Sequence, residues 1–303
     1  MSKPSPGSWL ILGGCGFIGR NLVKYLLDNN LASTIRVVDK RAPFMSFLSS
    51  DHKAALLNKE YVEFVQADLS EDDMVDTAFA PPRSGSSSSS SWDWIVNLVA
   101  ETKMGSKDEF FEKGVTAAGK CVEAAARAGG CRKFIHVSTA AIYKPISSAK
   151  GTAENGVVTP WSLVGEAAVR AEESAKTASK TSGSSSSSGA ATVPLVILRP
   201  AMCYGPGDVN SLMPRCVIAA TYKATAERMD FLWDASVKVS TVSVFDVVRA
   251  IYFCARKAEN GAGEQAFRMI YSERGKQRQS KNALQLTEPL LLPSPSPSPS
   301  PPL

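Results

Sequence analysis

The sequence predicts an α/β fold built around a doubly wound parallel sheet. Short apolar segments rich in β-branched residues recur through the first 200 residues, and helical patterns separate them. Near-continuous apolar strands indicate burial on both faces of a sheet, and strands that alternate with helices are typical of βαβ units. A glycine-rich loop between the first strand and the first helix agrees with this fold.

Six strands are predicted, at residues 9–13, 35–39, 62–68, 94–100, 133–139 and 193–200. Apolar residues at helical spacing predict a helix over Phe17 to Asp28, and an alanine-rich segment predicts another over Val115 to Ala128. Beyond these strands the pattern is looser. It predicts a helix over 212–228, a strand over 237–244, a helix over 245–257 and a strand over 266–271.

Three segments depart from this alternation. Serine tracts at 84–91 and 182–189 cannot bury a core face, so both are expected to be flexible insertions. Residues 273–303 end in a Ser-Pro repeat with a polyproline II bias and are expected to form a disordered tail. A proline-rich docking peptide is the alternative for this tail.

Composition excludes several classes of protein. The 303 residues are 44% hydrophobic and 21% charged, and no apolar run reaches the length of a membrane span, so no membrane partner is expected. Most of the net charge of +5 comes from Arg274, Lys276, Arg278 and Lys281, which leaves no basic stripe for nucleic acid. Six cysteines without a CxxC pair, and an N-terminus without a signal-peptide core, predict a cytoplasmic protein without a metal site.

The segment GGCGFIG places glycines at 13, 16 and 19, directly after the first strand and at the start of the first helix. Gly13 permits a tight turn, Gly16 lets the backbone approach a pyrophosphate, and Gly19 lets the helix pack closely. The helix N-terminus adds N–H donors and a positive dipole. The sequence therefore predicts a dinucleotide-binding Rossmann domain. The loop residues expected to bind the cofactor are Gly13, Gly14, Cys15, Gly16, Phe17, Ile18 and Gly19.

Asp39 ends the second strand and indicates which dinucleotide binds. An acidic side chain there accepts hydrogen bonds from the ribose hydroxyls and repels a 2′-phosphate, which favours NAD over NADP. Lys40 is expected to lie beside the same cofactor. Lys40 and Arg41 could instead bind a 2′-phosphate, so NADP remains the alternative.

The ends of the next two strands lie beside the same crevice. Asp68 and Leu69 end the third strand and are expected to flank an adenine; the alternative for Asp68 is the N-cap of the following helix. Val99, Ala100 and Glu101 close the fourth strand and are also expected at the cofactor.

With these motifs in order, the chain resembles the extended short-chain dehydrogenase/reductase family of the NAD-dependent epimerase/dehydratase type, over residues 8 to 270. The segments that carry the resemblance are GGCGFIG, NLVAET, KGVTAAGKCVEAAARAG, HVSTAAIY, LRPAMCYGPGD and VSVFDVVRAIYFCAR. The resemblance implies that Pro200 borders the cofactor. It also implies a small-molecule substrate, such as a nucleotide sugar or a sterol, and a homodimer through helices that include Val115–Ala128 and Thr159–Ala178.

The family's catalytic residues carry over only in part. The resemblance places the Ser or Thr that polarises the substrate oxygen at Thr139. It places the acid/base Tyr at Val164, the Lys that assists it at Ala168, and a relay Asn at Gly114. A Val cannot exchange a proton, so acid/base catalysis through these positions is not expected.

Other residues near these positions could supply the missing groups. The candidates are Tyr143, Lys144, Tyr204, Glu101 and Glu166. His136 is interpreted as a core histidine, His52 as a loop residue, and Cys15 as a small filler side chain.

The domains follow from the resemblance: residues 8–200 form the Rossmann domain, 201–272 a partial, truncated substrate lobe and 273–303 the tail. Two functions compete. One is NAD-dependent hydride transfer on a hydroxyl or carbonyl substrate, and the other is a catalytically inactive dinucleotide-binding protein that acts as a sensor or assembly partner.

Overall fold

The computed structural model describes residues 6–46, 48–82, 91–103, 105–144, 155–184, 191, 193–230 and 239–257. The chain divides into two units, Met1–Arg256 and Lys257–Leu303. The described residues belong to the first unit, except for Lys257. The strand expected at 266–271, the tail and most of both serine tracts lie outside the described residues.

Strands and helices alternate along the chain, as the sequence predicts. The strands are β1 (Gly7–Leu12), β2 (Ala32–Asp39), β3 (Val62–Gln66), β4 (Trp94–Asn97), β5 (Lys133–Val137), β6 (Leu195–Leu198), β7 (Met202–Tyr204) and β8 (Thr241–Ser243). The helices are α1 (Phe17–Asp28), α2 (Ser50–Leu56), α3 (Asp72–Phe79), α4 (Asp108–Arg127), α5 (Leu163–Ser184), α6 (Leu212–Ala224) and α7 (Val244–Lys257). Short 3₁₀ turns occupy Pro43–Met45 and Ala140–Ile142.

The first six strands form one parallel sheet in the order β3-β2-β1-β4-β5-β6, which confirms the doubly wound Rossmann fold. Leu12 pairs with Val38 on one side and with Asn97 on the other, so β1 lies between β2 and β4. The strand order reverses at β1 and β4. In such sheets the crevice at the carboxyl ends of these two strands is where ligands bind.

The helices α4 and α5 pack side by side through small residues. Ala118 and Cys121 of α4 and Ala171 and Ala175 of α5 are buried. Alanine lets two helix backbones approach closely, which explains why the alanine-rich sequence forms this layer. The helix α4 begins seven residues before the predicted Val115, because Asp108 and Glu109 provide a favourable acidic first turn.

Two predicted boundaries are corrected. The second serine tract was expected to begin at residue 182, but Ser182 belongs to α5, where its buried hydroxyl donates to the carbonyl of Ala178 at 2.8 Å. The helix α7 was assigned to the substrate lobe, yet it packs on the main sheet. Its Tyr252 stacks on Trp9 of β1 with ring centroids 6.2 Å apart, and Trp9 in turn lies 4.8 Å from the ring of Trp94 in β4.

Beyond β6, the strands β7 and β8 pair in parallel as a separate two-stranded sheet. The helix α6 follows β7 and has no buried residue. Its exposed apolar side chains include Met213, Val217 and Ile218. This part of the chain therefore carries less of the hydrophobic core than the six-stranded sheet does.

Candidate functional site

The glycine loop leaves β1 at the centre of the sheet and leads directly into α1. Gly13 has a φ of +77°, and its N–H donates to the carbonyl of Val38 at 2.7 Å, which ties the loop to β2. Gly16 is the N-cap of α1 and has no side chain to cap the first N–H groups. The free N–H groups of the first helical turn therefore face the space above the loop.

Two glycines of this loop have different neighbours. A Cβ added at Gly19 would lie 2.5 Å from Cα of Gly14, so this position needs glycine for α1 to pack against the loop. A Cβ added at Gly16 would meet only the carbonyl oxygen of Gly13, at 3.1 Å, and Gly16 is exposed. The space outside Gly16 is thus open, which fits a pyrophosphate held against the backbone and the start of α1.

Asp39 lies over the same loop. One carboxylate oxygen accepts the N–H of Cys15 at 3.0 Å, and the other accepts the N–H of Arg41 at 3.1 Å. This holds the carboxylate beside the glycines, where ribose hydroxyls would donate to it. The exposed side chain of Lys40 lies over the ring of Phe110, at 5.4 Å from its centroid. Burial raises the pKa of the Cys15 thiol to about 12, which agrees with a filler role for this side chain.

At the end of β3, the structure differs from the expectation for Leu69 and from the alternative for Asp68. Leu69 is buried in the hydrophobic core, so its side chain is not available to flank an adenine. Asp68 does not cap the following helix, because the N-cap of α3 is Glu71. The carboxylate of Asp68 instead accepts from Ser70 and pairs with Lys113 at 2.9 Å. Although burial opposes it, these hydrogen bonds lower the pKa of Asp68 to about 2.

A cavity of about 110 Å³ lies between the carboxyl ends of β4 and β5 and the helices α4 and α5. Five of the expected site residues line it, namely Ile18, Val99, Ala100, Glu101 and Thr139. The three positions at which the chain departs from its resemblance, Gly114, Val164 and Ala168, line it as well. The structure therefore brings together all four positions that the resemblance placed in one catalytic centre.

Thr139 is held at the end of β5 by the turn that follows it. Its Oγ1 accepts the N–H of Ala141 at 3.2 Å, and the carbonyl of Pro200 accepts the N–H of Ala140 at 2.8 Å. The Thr139 hydroxyl can still donate its own proton. Val164 and Ala168 lie one turn apart on α5, so both project from the same side of the helix and neither carries a titratable group.

Most of the alternative acid/base candidates do not reach the cavity. The hydroxyl of Tyr143 accepts from Arg199 at 2.6 Å, and Arg199 forms a two-point ion pair with buried Glu172. Although burial alone would raise it, the hydrogen bonds and charge of Arg199 hold the pKa of Glu172 below its usual range. Lys144 and Glu166 are exposed. Tyr143 is therefore part of a structural network.

The two histidines have defined partners. His136 is buried in β5, as expected, and burial lowers its pKa to about 4. Its Nδ1 lies 3.2 Å from the amide nitrogen of Asn97. His52 was expected in a loop, but it is buried in α2 and contacts Asn21 and Ser49.

Sequence reasoning overlooked Asn97. The sequence feature that indicates Asn97 is a polar residue at the end of the apolar strand WIVN. A buried amide requires hydrogen-bond partners, so such a residue is a candidate for a structural or functional contact.

Within the described ranges, no group of three His, Cys, Asp or Glu side chains is placed to hold a metal ion.

None of the described helices combines the length and the apolar character of a membrane span.

Comparisons with known proteins give one sequence relative and many structural ones. The chain is 29% identical over 151 residues to the low-salt glycan biosynthesis protein Agl12 of Haloferax volcanii, which covers 48% of this chain and 44% of that protein. The match thus spans less than half the length of this relative.

Two solved structures are similar in fold. The enzyme WbmG of Bordetella bronchiseptica, in complex with NAD, superposes with a TM-score of 0.63 at 16% identity, over 84% of this chain and 70% of WbmG. The dTDP-glucose 4,6-dehydratase DesIV of Streptomyces venezuelae, with NAD and TYD bound, gives a TM-score of 0.64 at 22% identity, over 81% of this chain and 71% of DesIV.

A family model matches far more of the chain than the sequence relative does. The model of the NAD dependent epimerase/dehydratase family aligns with residues 9–269, which include the glycine loop, Asp39 and every described residue that lines the cavity. Together with the parallel sheet and its open glycine loop, this match shows that the chain belongs to the NAD-dependent epimerase/dehydratase family.

Proposed function

We propose that this protein binds NAD and transfers a hydride between it and a carbinol or carbonyl carbon of a nucleotide sugar. The observation that carries the proposal is the glycine loop at the strand-order reversal, with open space outside Gly16 and the carboxylate of Asp39 beside it. Gly13, Gly16 and the N-terminus of α1 would hold the pyrophosphate, and Asp39 the adenosine ribose. Bound NAD⁺ supplies the hydride acceptor.

The cavity beside Thr139 supports the placement of the reaction. The carboxyl ends of β4 and β5 meet there, and Thr139 presents a hydroxyl that can donate to a substrate oxygen. The name of DesIV, a dTDP-glucose 4,6-dehydratase, supports a nucleotide sugar as the substrate class. The residues present can therefore bind a cofactor and polarise an oxygen.

One experiment tests the cofactor and the reaction separately. The purified protein is denatured and its released nucleotide is identified, and the intact protein is then assayed with UDP- and dTDP-sugars. We expect bound NAD(H) and slow turnover with a nucleotide sugar, and none with the free sugar. Absence of affinity for NAD(H) would contradict the cofactor assignment, whereas bound NAD without turnover on any sugar would contradict the hydride transfer.

Binding without turnover is the second candidate function. It is favoured by Gly114, Val164 and Ala168, which leave the cavity without the family's relay, acid/base and assisting groups. A protein of this kind would respond to the ratio of NAD⁺ to NADH by changing its partner. The same turnover assay separates the two candidates.

A homodimer and a cytoplasmic location complete the proposal. The six cysteines are all free, which favours a reducing compartment.

A dimer through α4 and α5 would cover the ion pair between Glu112 and Arg170, whose atoms lie 2.6 Å apart on the exposed side of both helices. Light scattering after size-exclusion chromatography measures the mass, and Arg170→Glu is expected to weaken such a dimer.

A further inference from the structure

The cavity beside Thr139 must supply a proton acceptor if the proposed hydride transfer occurs, because oxidation of an alcohol releases the hydroxyl proton. The positions that carry this role in the family are Val164 and Ala168, which cannot accept a proton. Of the described residues that line the cavity, those that can titrate are Glu101 and His136. Two described side chains of the cavity could therefore accept the proton.

The hydrogen bonds of His136 exclude it. The N–H of Val99 donates to Oδ1 of Asn97 at 3.0 Å, which fixes the amide so that its nitrogen faces the histidine ring. That nitrogen donates to Nδ1 of His136 at 3.2 Å. The proton of the neutral ring is then on Nε2. His136 has one nitrogen occupied as an acceptor and the other already protonated, so it offers the cavity only a donor.

Glu101 has the opposite character. It follows β4, is half-buried, and one of its carboxylate oxygens accepts the N–H of Lys103 at 2.8 Å. This hydrogen bond holds the side chain in place and leaves the second oxygen without a hydrogen bond from the part of the chain that the structure describes. β4 and β5 are neighbours in the sheet, so Glu101 and Thr139 follow adjacent strand ends, and both residues line the cavity.

We propose that Glu101 is the general base of this protein and acts together with Thr139. The proposal rests on the proposed hydride transfer. The substrate hydroxyl loses its proton to the Glu101 carboxylate, directly or through the Thr139 hydroxyl. NAD⁺, when held by the glycine loop, would accept the hydride released from the carbinol C–H bond. The products would be a carbonyl compound, NADH and a protonated Glu101. The reverse step returns the proton to the oxygen and the hydride to the carbon.

The test compares Glu101→Gln with a matched control, Glu166→Gln. The glutamine at 101 keeps an oxygen that can accept from Lys103, so it retains the loop but cannot accept a proton. The control removes the same charge from an exposed position of α5. Turnover with a nucleotide sugar is expected to fall by roughly 10²- to 10⁴-fold in Glu101→Gln, with KM little changed, and to stay at the wild-type value in Glu166→Gln.

Two further measurements do not depend on steady-state turnover. Calorimetry should still detect NAD⁺ binding to Glu101→Gln, because the glycine loop and Asp39 are the proposed holders of the pyrophosphate and the ribose, and glutamine keeps the size of the glutamate side chain. Infrared difference spectra of one reduction of bound NAD⁺ by the sugar should show a protonated carboxyl band in the wild type. This band should be missing in Glu101→Gln, and a merely structural role would not produce it.

Adding Val164→Tyr and Ala168→Lys to Glu101→Gln provides a rescue. If Glu101 replaces the family's Tyr, the triple variant should regain turnover without a carboxylate at position 101. Wild-type turnover that survives in Glu101→Gln would overturn the role of Glu101 and leave the proposed function intact. Wild-type protein that binds NAD but oxidises no sugar would overturn the hydride transfer and, with it, this inference.

Discussion

His136 lies in the middle of β5, where burial makes the charged ring unfavourable. Its pKa of about 4 in the folded protein is below the usual value of about 6.5 that it has in the unfolded chain. Between these two values the unfolded chain binds more protons than the native protein. The stability that depends on a neutral ring is therefore complete above pH 6.5 and is lost as the pH falls toward 4.

From this difference we predict that acidification from pH 6.5 to pH 4 lowers the free energy of unfolding by about 3 kcal/mol through His136. In His136→Gln this contribution should disappear, while the amide can still accept from Asn97. Urea unfolding of both proteins across the pH range measures it. His52, whose pKa burial also lowers, acts in both proteins and cancels in the comparison. Equal pH slopes in the two proteins would contradict the prediction.

Asp39 is the residue that we propose to set the choice of dinucleotide. We predict tighter binding of NAD(H) than of NADP(H), because the carboxylate faces the position of the 2′-phosphate. Asp39→Ala should weaken NAD⁺ binding by about ten- to a hundredfold, since a hydrogen bond to a charged group contributes about 1.5–3 kcal/mol. Calorimetric titration with both dinucleotides measures these affinities.

The control for this position is Asp39→Asn. The amide keeps an oxygen that can accept from Cys15 but loses the negative charge. Asp39→Asn should raise the affinity for NADP⁺ by a larger factor than it changes the affinity for NAD⁺. If the wild type binds NADP⁺ as tightly as NAD⁺, then Lys40 or Arg41 determines the specificity instead.

At the scale of elements, two glycines at the start of α1 have different roles: Gly19 allows the helix to pack, and Gly16 leaves room for the ligand. We predict that Gly19→Ala lowers the thermal midpoint markedly, because its Cβ would lie 2.5 Å from the backbone of Gly14, and overpacking commonly costs about 1–3 kcal/mol. Gly16→Ala should melt close to the wild type yet bind NAD⁺ at least roughly tenfold more weakly, because its Cβ would occupy the open side of the loop. Thermal unfolding measures the midpoint of both variants, and calorimetry measures their NAD⁺ affinity. A Gly19→Ala variant with the wild-type thermal midpoint would show that α1 can shift.

The sequence predicts the central strands well because burial on both faces makes them continuously apolar. All six strands of the main sheet are present, although β3 to β6 are shorter than predicted at their carboxyl ends. There the chain turns toward the site, and β-branched residues such as Val99 and Thr139 follow the strands without belonging to the sheet. Composition alone does not distinguish such residues from the strand that precedes them.

Two features could not be predicted from the sequence in the same way: the helix α2, and the hydrogen bond between Tyr143 and Arg199. Seven residues, SDHKAAL, carry too short a pattern to reveal a helix, so the sequence predicts a loop at His52, which is in fact buried in α2. The four positions that the resemblance aligns with the family's catalytic residues line one cavity. That Tyr143 is bound to Arg199 depends on long-range packing, which no local pattern contains.

At the scale of the whole molecule, the fold of the family is kept while its catalytic positions carry small apolar side chains. We predict that turnover is weak in the wild type and that Val164→Tyr with Ala168→Lys raises it, but by less than the roughly 10²- to 10⁴-fold that a positioned acid/base typically contributes, because Glu101 already supplies a proton acceptor. The control, Val164→Phe with Ala168→Met, adds similar bulk without titratable groups and should not raise it. Steady-state assays with a nucleotide sugar measure both, and equal rates in all three proteins would exclude this position as the proton donor.

The tilted ring pair of Trp9 and Trp94 has an optical consequence. Two indoles with centroids 4.8 Å apart, fixed at 40° to each other, couple their electronic transitions and should give a strong near-ultraviolet circular dichroism signal. Trp9 lies in β1, which leads into the glycine loop, and Trp94 lies in β4, which leads to Glu101. The signal therefore reports on the two strands whose ends carry the site, and it should vanish as soon as they separate, even where helical signal remains.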